Sequence, residues 1–294
     1  MVNLESYSNL TKLQEDLLKK GFCFDNIFSF SLYSKNQHGL NYKTSYKQKP
    51  SATPVPDMYA YTSFEYKNKG FSIKEELETS QNYKTTFEYV PESRPEFKGK
   101  LEMVCNTLKD ERNNSASVEY SHERVKSKFT LTDTPVFKAS AVTGVDNFGA
   151  GVDLGLNLSS LRFTDYNAAL WWFTDDHRFV LKHVSTNKES YELGNIIGSL
   201  FYNLSQETKL GAALTYKSKA QQGNVNVGFG LSHQLDSCKL LKLRMDSEGM
   251  LGVNLRSKLS DYVTIVTASQ FNVKSLSQSN YPGMEFGFKI KINQ

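Results

Sequence analysis

The chain has no apolar stretch long enough for a spanning helix. Its longest obvious run is AALWWF, Ala168 to Phe173, against the ~18 or more residues a helix needs. A helical membrane protein is excluded; a barrel, which crosses with short alternating strands, is not. Cysteine is scarce: Cys23, Cys105 and Cys238 are odd in number and widely spaced, which suits neither a disulfide framework nor a zinc site and reads as unpaired thiols. Charge of one sign never runs on. The 35 Lys and Arg are balanced by 31 Asp and Glu, net +4, without the basic arm that would grip nucleic acid. The N-terminus lacks an apolar core and carries Glu5, Glu15 and Asp16, so neither a secretory signal nor a matrix transit peptide is expected.

Catalytic signatures are missing too. His38, His122, His177, His183 and His233 are scattered, and there is no HExxH, nucleophile elbow or P-loop. GAGVDLG lacks the strand-then-helix setting of a dinucleotide fingerprint; Gly alternating with Asp or Asn on one face of a strand explains it better. The Asn-x-Ser/Thr triplets at Asn9, Asn113, Asn157 and Asn203 carry no meaning without secretion. No enzyme, metal or cofactor is expected.

What is present is strand-forming. Tyr (16) and Phe (19) are abundant although mean hydropathy is −0.48, a combination that suits half-exposed sheets. The opening LESYSNLTKLQEDLLKKG sets Leu4, Tyr7, Leu10, Leu13, Leu17 and Leu18 at helical spacing and stops at Gly21, predicting one amphipathic helix that begins at residue 3. Period two then takes over. LNYKTSYK, FKGKLEMVC, RVKSKFTLT, NFGAGVDLGLNL, NVNVGFGLS and MEFGFKIKI alternate apolar with polar or glycine residues. NQHG, YKNKG, KDERNNS and QSNYPG between segments read as turns rather than interdomain linkers. Strands of ~9–11 residues would fit roughly nineteen times into this region. The predicted organisation is a helix and hinge over residues 1–21 and an all-β barrel over 22–294.

A soluble β-sandwich also alternates. Against it, alternation persists from about residue 25 to the C-terminus; one face carries Gly, Asn, Ser and Lys, suiting a wet lumen, and the other is almost free of charge, suiting lipid. GFSIKEELE is the exception that fixes register: with Phe71, Ile73 and Leu77 toward lipid, Glu75 faces lipid too. A shift of one residue would expose Lys74, Glu76 and Glu78 instead. Trp171 and Trp172 fall on opposite faces of one strand, so one can anchor at the interface.

These residues resemble the eukaryotic mitochondrial porins, the voltage-dependent anion channels, over essentially the full length. The N-terminal stretch from Tyr7 to Tyr42 is similar to the family's opening. EFGFKIKINQ is similar to the barrel insertion signal, polar-x-Gly-x-x-apolar-x-apolar, with Glu285, Gly287, Ile290 and Ile292 in its places. Where the family has a glycine-rich hinge this chain has GFCFD, keeping Gly21 but with Cys23 and Asp25. The family is already known for nineteen strands, so the count of roughly nineteen is agreement rather than independent derivation.

The resemblance implies a transmembrane barrel of the mitochondrial outer membrane, closed by a parallel pair between first and last strands, with the helix inside the pore. It implies a voltage-gated, weakly anion-selective diffusion channel for ATP, ADP, phosphate and small anions, with Lys12, Lys19 and Lys20 presenting ammonium groups from the helix. It also implies that Glu75 is a membrane-facing regulatory residue, linked to self-association and kinase docking. Nine strands sorted by face give thirteen lumen-side basic residues, among them Lys43, Lys47, Lys98, Lys100, Arg124, Lys126, Lys128, Lys289 and Lys291, against seven acids. That excess of six favours anions. The alternatives are a porin-fold protein-import pore or a structural subunit of a larger membrane assembly.

Overall fold

The computed structural model describes residues 4–24, 27–36, 39–49, 57–185, 194–218, 224–275 and 284–293. Within them the chain forms a meander of nineteen strands. The first nine are β1 (Phe28–Lys35), β2 (Leu40–Lys49), β3 (Asp57–Asn68), β4 (Phe71–Glu78), β5 (Asn82–Tyr89), β6 (Phe97–Asn106), β7 (Glu111–Ser121), β8 (Val125–Thr132) and β9 (Val136–Val145). There follow β10 (Phe148–Asn157), β11 (Arg162–Phe173), β12 (His177–Val184), β13 (Asn195–Asn203) and β14 (Thr208–Tyr216). The last are β15 (Val225–Gln234), β16 (Lys239–Asp246), β17 (Met250–Lys258), β18 (Val263–Asn272) and β19 (Glu285–Asn293).

Each strand pairs antiparallel with the next, and the sheet closes because β1 also pairs with β19. In an up-and-down meander with an odd number of strands the first and last run the same way, so closure must be parallel. The observed register is parallel, from Phe28↔Phe288 to Tyr33↔Asn293. Closure leaves no open edge, so the backbone donors and acceptors of every strand are met within the wall, as hydrocarbon requires.

The two faces of this wall meet different solvents. Outward positions are apolar and bare: Phe148 is 66% exposed, Leu170 60% and Phe229 57%, which a water-soluble protein would not tolerate in so continuous a band and lipid does. Aromatic side chains ring one rim on this outer face. Phe97 lies 5.0 Å from Tyr120, and Phe148, Trp172, His177 and Tyr202 stack in succession at 6.3, 6.4 and 4.4 Å. This is the girdle expected at a membrane interface. Trp172 belongs to it, whereas Trp171 points inward and is 4% exposed.

Inside the barrel the hydrophobic effect has one thing to bury, the apolar stripe of the N-terminal segment. The sequence predicts a single helix there. The structure instead breaks the segment into a 3₁₀ turn, Tyr7–Asn9, and a seven-residue helix α1, Lys12–Leu18. The expected start at residue 3 lies outside the described residues. A curved wall explains the break: the turn packs on β9 and β10, while α1 packs on β13, β14 and β15, and one straight rod would leave the wall at one end. Thr11, at the junction, donates its hydroxyl to the Glu15 carboxylate at 2.6 Å and makes no side-chain bond to a backbone N–H.

Two local expectations shift. KDERNNS is a turn only over its first residues: β7 starts at Glu111. Asn106 closes the turn by accepting the backbone N–H groups of Leu108 and Lys109, both at 3.0 Å. Arg124 sits in the bend just before β8 rather than within the strand. NQHG contains Gln37 and His38 and QSNYPG spans residues 278–283, so His38 and the QSNYPG turn lie outside the described residues, as does Asp25 of the hinge.

Candidate functional site

The lumen is built by one strand face of each pair, and its most closely packed part is the berth of the N-terminal segment. Leu4, Tyr7 and Leu10 form a buried cluster with Val142, Ala169, Trp171, Phe173 and Val180 from β9, β11 and β12. Glycine makes the space. A Cβ on Gly149 would overlap the Trp171 indole, and one on Gly151 would press on Tyr7 at 3.0 Å. Further along, Gly230 opens room for Leu17 and Leu18, each 3.0 Å from a hypothetical Cβ. The glycines that the sequence assigns to a wet lumen are therefore, at these positions, the floor of a docking track.

Polar contacts fix the segment along its length. Arg178 pairs with Glu5, Lys182 reaches the Thr11 hydroxyl at 3.4 Å and covers the Tyr7 ring at 5.0 Å, and Gln14 donates to Ser199 Oγ at 2.9 Å. Burial and then the negative charge of Asp153 push the Tyr7 phenol well above its ordinary value, so it is a neutral hydroxyl throughout the physiological range. At the C-terminal end of α1 the carbonyls left without helical partners meet cations. Lys242 donates to the carbonyls of Asp16 (3.2 Å) and Lys20 (3.1 Å), and Arg244 to that of Leu18 (3.2 Å). The sequence reading did not pick out Lys242 and Arg244. Their signal is the alternation in KLLKLRMD, where both share the polar face of β16.

Gly21 has φ +96°, a left-handed conformation that favours glycine, and its carbonyl accepts from Asn254 Nδ2 at 2.8 Å. Immediately after it the chain is pinned. Cys23 and Phe24 are buried against Val266 and Ala268, and the Arg244 guanidinium lies 4.9 and 4.8 Å from the rings of Phe22 and Phe24. A Cβ on Gly287 would overlap the Cys23 carbonyl. Freedom at this hinge is thus concentrated at Gly21. Glu285 and Gly287 face the lumen; Ile290 and Ile292 face outward and pair in register with Phe30 and Leu32 of β1.

The expected cationic residues divide into groups with different surroundings. Lys12 and Lys19 are exposed on the segment, and Lys20 pairs with Asp16 at 2.9 Å. On β4 to β6 the lysines are neutralised, within a strand by Lys74–Glu76 at 2.6 Å and Lys100–Glu102 at 2.9 Å and across strands by Lys84–Glu102 and Lys98–Glu88, both at 2.8 Å. Tyr61 also donates to Glu76. Lys98 and Lys100 are therefore poorer anion attractors than the face count implies. Lys126 and Lys128 line the lumen without an ion pair among the described residues. Lys43, Lys289 and Lys291, with Lys47, lie along the β19–β1–β2 seam and are likewise unpaired within that set.

Glu75 faces outward as expected, in register with Phe64 on β3 and Thr85 on β5. Near mid-membrane a charge costs up to about 2–4 kcal/mol, less for acids than for Lys or Arg. Glu75→Gln is expected to leave single-channel conductance unchanged and to keep or raise the unfolding temperature in lipid. Loss of the pore would show that the faces are misassigned.

A closed, lipid-facing β-barrel with a charged, water-accessible lumen defines a membrane channel. The model of the eukaryotic porin family matches residues 3–282, and the chain belongs to that family. Mitochondrial outer membrane protein porin 1 of Oryza sativa subsp. japonica is 23% identical over 98% of this chain and all of its own length. The voltage-dependent anion-selective channel of Drosophila melanogaster is 25% identical over 98% of both chains. The mitochondrial outer membrane protein porin of Candida albicans is 22% identical, also over 98% of both. Among solved structures, a Rhodopseudomonas blastica porin triple mutant superposes with a TM-score of 0.51 over 80% of this chain and 90% of its own, at 7% identity, which speaks to the fold alone. The chain is a porin of the mitochondrial outer membrane, with the bilayer around it and small molecules as permeants.

Proposed function

We propose that the channel is weakly anion-selective and passes ATP, ADP, phosphate and other small anions by diffusion. One observation carries this reading: the lumen-facing lysines of the β19–β1–β2 seam make no ion pair among the described residues, whereas those of β4 to β6 do. Uncompensated ammonium groups in a confined, wet lumen concentrate anions and deplete cations. The preference is modest, because charge is screened within about 8 Å at physiological ionic strength, and it weakens as salt rises. The reversal potential of the reconstituted channel in a KCl gradient tests the proposal; a potential of the sign for K⁺ preference overturns it. That positive lumen also favours a metabolite channel over an import pore for basic presequences.

Voltage gating, implied by the resemblance, requires a charged element that can change position. The N-terminal segment, with Lys12 at its middle, Lys19 and Lys20 at one end and Glu5 held by Arg178 at the other, is our candidate, with Gly21 as its pivot. We assign Glu75 to self-association or kinase docking on the outer wall, and Glu285, Gly287, Ile290 and Ile292 to barrel insertion.

A further inference from the structure

We infer that Lys242 and Arg244 of β16 are positioning residues for voltage-dependent closure: together they latch the C-terminal end of α1 to the wall and set how readily it leaves. The inference rests on the reading of the N-terminal segment as the element that voltage moves, and adds to it the residues that oppose the movement.

At the end of α1 the carbonyls run out of helical donors, and the wall supplies cationic ones. The Lys242 ammonium donates to the carbonyls of Asp16 and Lys20, at 3.2 and 3.1 Å, and the Arg244 guanidinium donates to the one between them, that of Leu18, at 3.2 Å. Arg244 also straddles the pivot. On the near side of Gly21 it holds Leu18; on the far side its guanidinium lies 4.9 and 4.8 Å from the ring centres of Phe22 and Phe24. Its own place is fixed from the wall. It donates to Gln270 Oε1, and Gly252 leaves room for its stem, because a Cβ there would lie 2.9 Å from Arg244 Cγ and Nε. The Gly21 carbonyl is tied to the wall in turn by Asn254 Nδ2 at 2.8 Å.

Rotation of α1 about Gly21 can keep Arg244 on Phe22 and Phe24, but it must break the bonds to Asp16 and Leu18. Those bonds are charge-assisted, the stronger kind, and they exist only while the helix is docked. Because β16 belongs to the closed wall, Lys242 and Arg244 do not travel with the segment. They weight the docked state against the released one without adding to the charge that voltage moves. Their loss should therefore change how often the channel closes at a given voltage and leave the steepness of closure unchanged. That signature separates a latch from a voltage sensor.

The test uses the full-length channel in planar bilayers and reads the ratio of low- to full-conductance time at one fixed voltage. Lys242→Gln/Arg244→Gln is expected to raise that ratio about tenfold or more, as the loss of charge-assisted hydrogen bonds implies, with the slope of its logarithm against voltage equal to that of wild type. Lys84→Gln, which removes a lumen cation from the ion-paired wall, should leave ratio and slope alone. Lys242→Arg keeps a cationic donor and should stay near wild type, whereas Lys242→Gln should not. In vesicles without a potential, hydrogen exchange at residues 12–20 should quicken by a similar factor in the double variant, with strand amides unchanged. An unchanged or lowered ratio, an altered slope, unchanged exchange, or an equal effect of Lys84→Gln would overturn the latch. Should the double variant not insert, Lys242→Gln alone must raise the ratio, and Lys242→Arg must not, for the latch to stand. A wild-type channel without voltage-dependent closure removes the gating reading and the latch's role with it; closure in wild type with the same ratio in the double variant removes the latch alone.

Discussion

Exchanging Lys43, Lys47, Lys289 and Lys291 together for glutamate is expected to reverse the channel's selectivity, from anion- to cation-preferring in a KCl gradient. The four lysines are the largest group of lumen cations without an ion pair among the described residues. Replacing each ammonium by a carboxylate more than cancels the excess of six counted from the sequence. The seam then presents unpaired acids to the pore while the lysines of β4 to β6 remain bound to Glu76, Glu88 and Glu102. Field and permeant concentration follow the uncompensated charge, so the sign of the reversal potential should change, most clearly at low salt where screening is weakest. A channel that kept its Cl⁻ preference would show that selectivity is set elsewhere, with Lys126, Lys128 and the N-terminal lysines next to be tested. Fold retention can be checked on the same samples by the β-sheet circular dichroism signal, because all four positions face water and none is a turn residue.

The second large effect is structural. Trp171→Ala should release the N-terminal segment while leaving the barrel closed. The Trp171 ring is the centre of the cluster that buries Leu4, Tyr7 and Leu10, it stacks on Phe173 at 4.7 Å, and glycines at 144 and 149 are shaped around it. Truncating a buried aromatic of this size costs about 3–5 kcal/mol, and here the loss falls on the interface between segment and wall. Strand pairing is satisfied independently of it. Hydrogen exchange at residues 4–20 should accelerate by orders of magnitude with strand amides unchanged, and single-channel records should show added substates. Unchanged exchange in the segment would mean that the polar clamps from Arg178, Lys182, Lys242 and Arg244 suffice to hold it.

Much of this architecture is legible in the chain. Alternation in NFGAGVDLGLNL and MEFGFKIKI gives β10 and β19 nearly to the residue, and the one acid on the apolar face of GFSIKEELE fixes which face of β4 meets lipid. The opening stripe announces an amphipathic segment, but not its break, since the break depends on the curvature of a wall made of residues more than a hundred positions away. The berth was hidden for a related reason. Glycines at alternate positions signify equally well a roomy lumen or a track for another part of the chain, and only contact with Trp171, Tyr7 and Leu17 distinguishes them. KLLKLRMD showed the face of Lys242 and Arg244, with nothing local to say that helix carbonyls lie opposite.

The odd strand count and its parallel closure are implied only by the family resemblance; the sequence by itself determined the period and the two-sided wall. These follow from a rule that acts between neighbours along one strand: successive side chains point to opposite faces. Only the tertiary structure decided which of the lumen lysines are neutralised and which stand open. That outcome belongs to cross-strand register, which sets Lys84 diagonally from Glu102 and Lys98 diagonally from Glu88, yet sets Lys289 and Lys47 on either side of a serine. Charge acts over a few ångströms in space, and chain order does not record that distance.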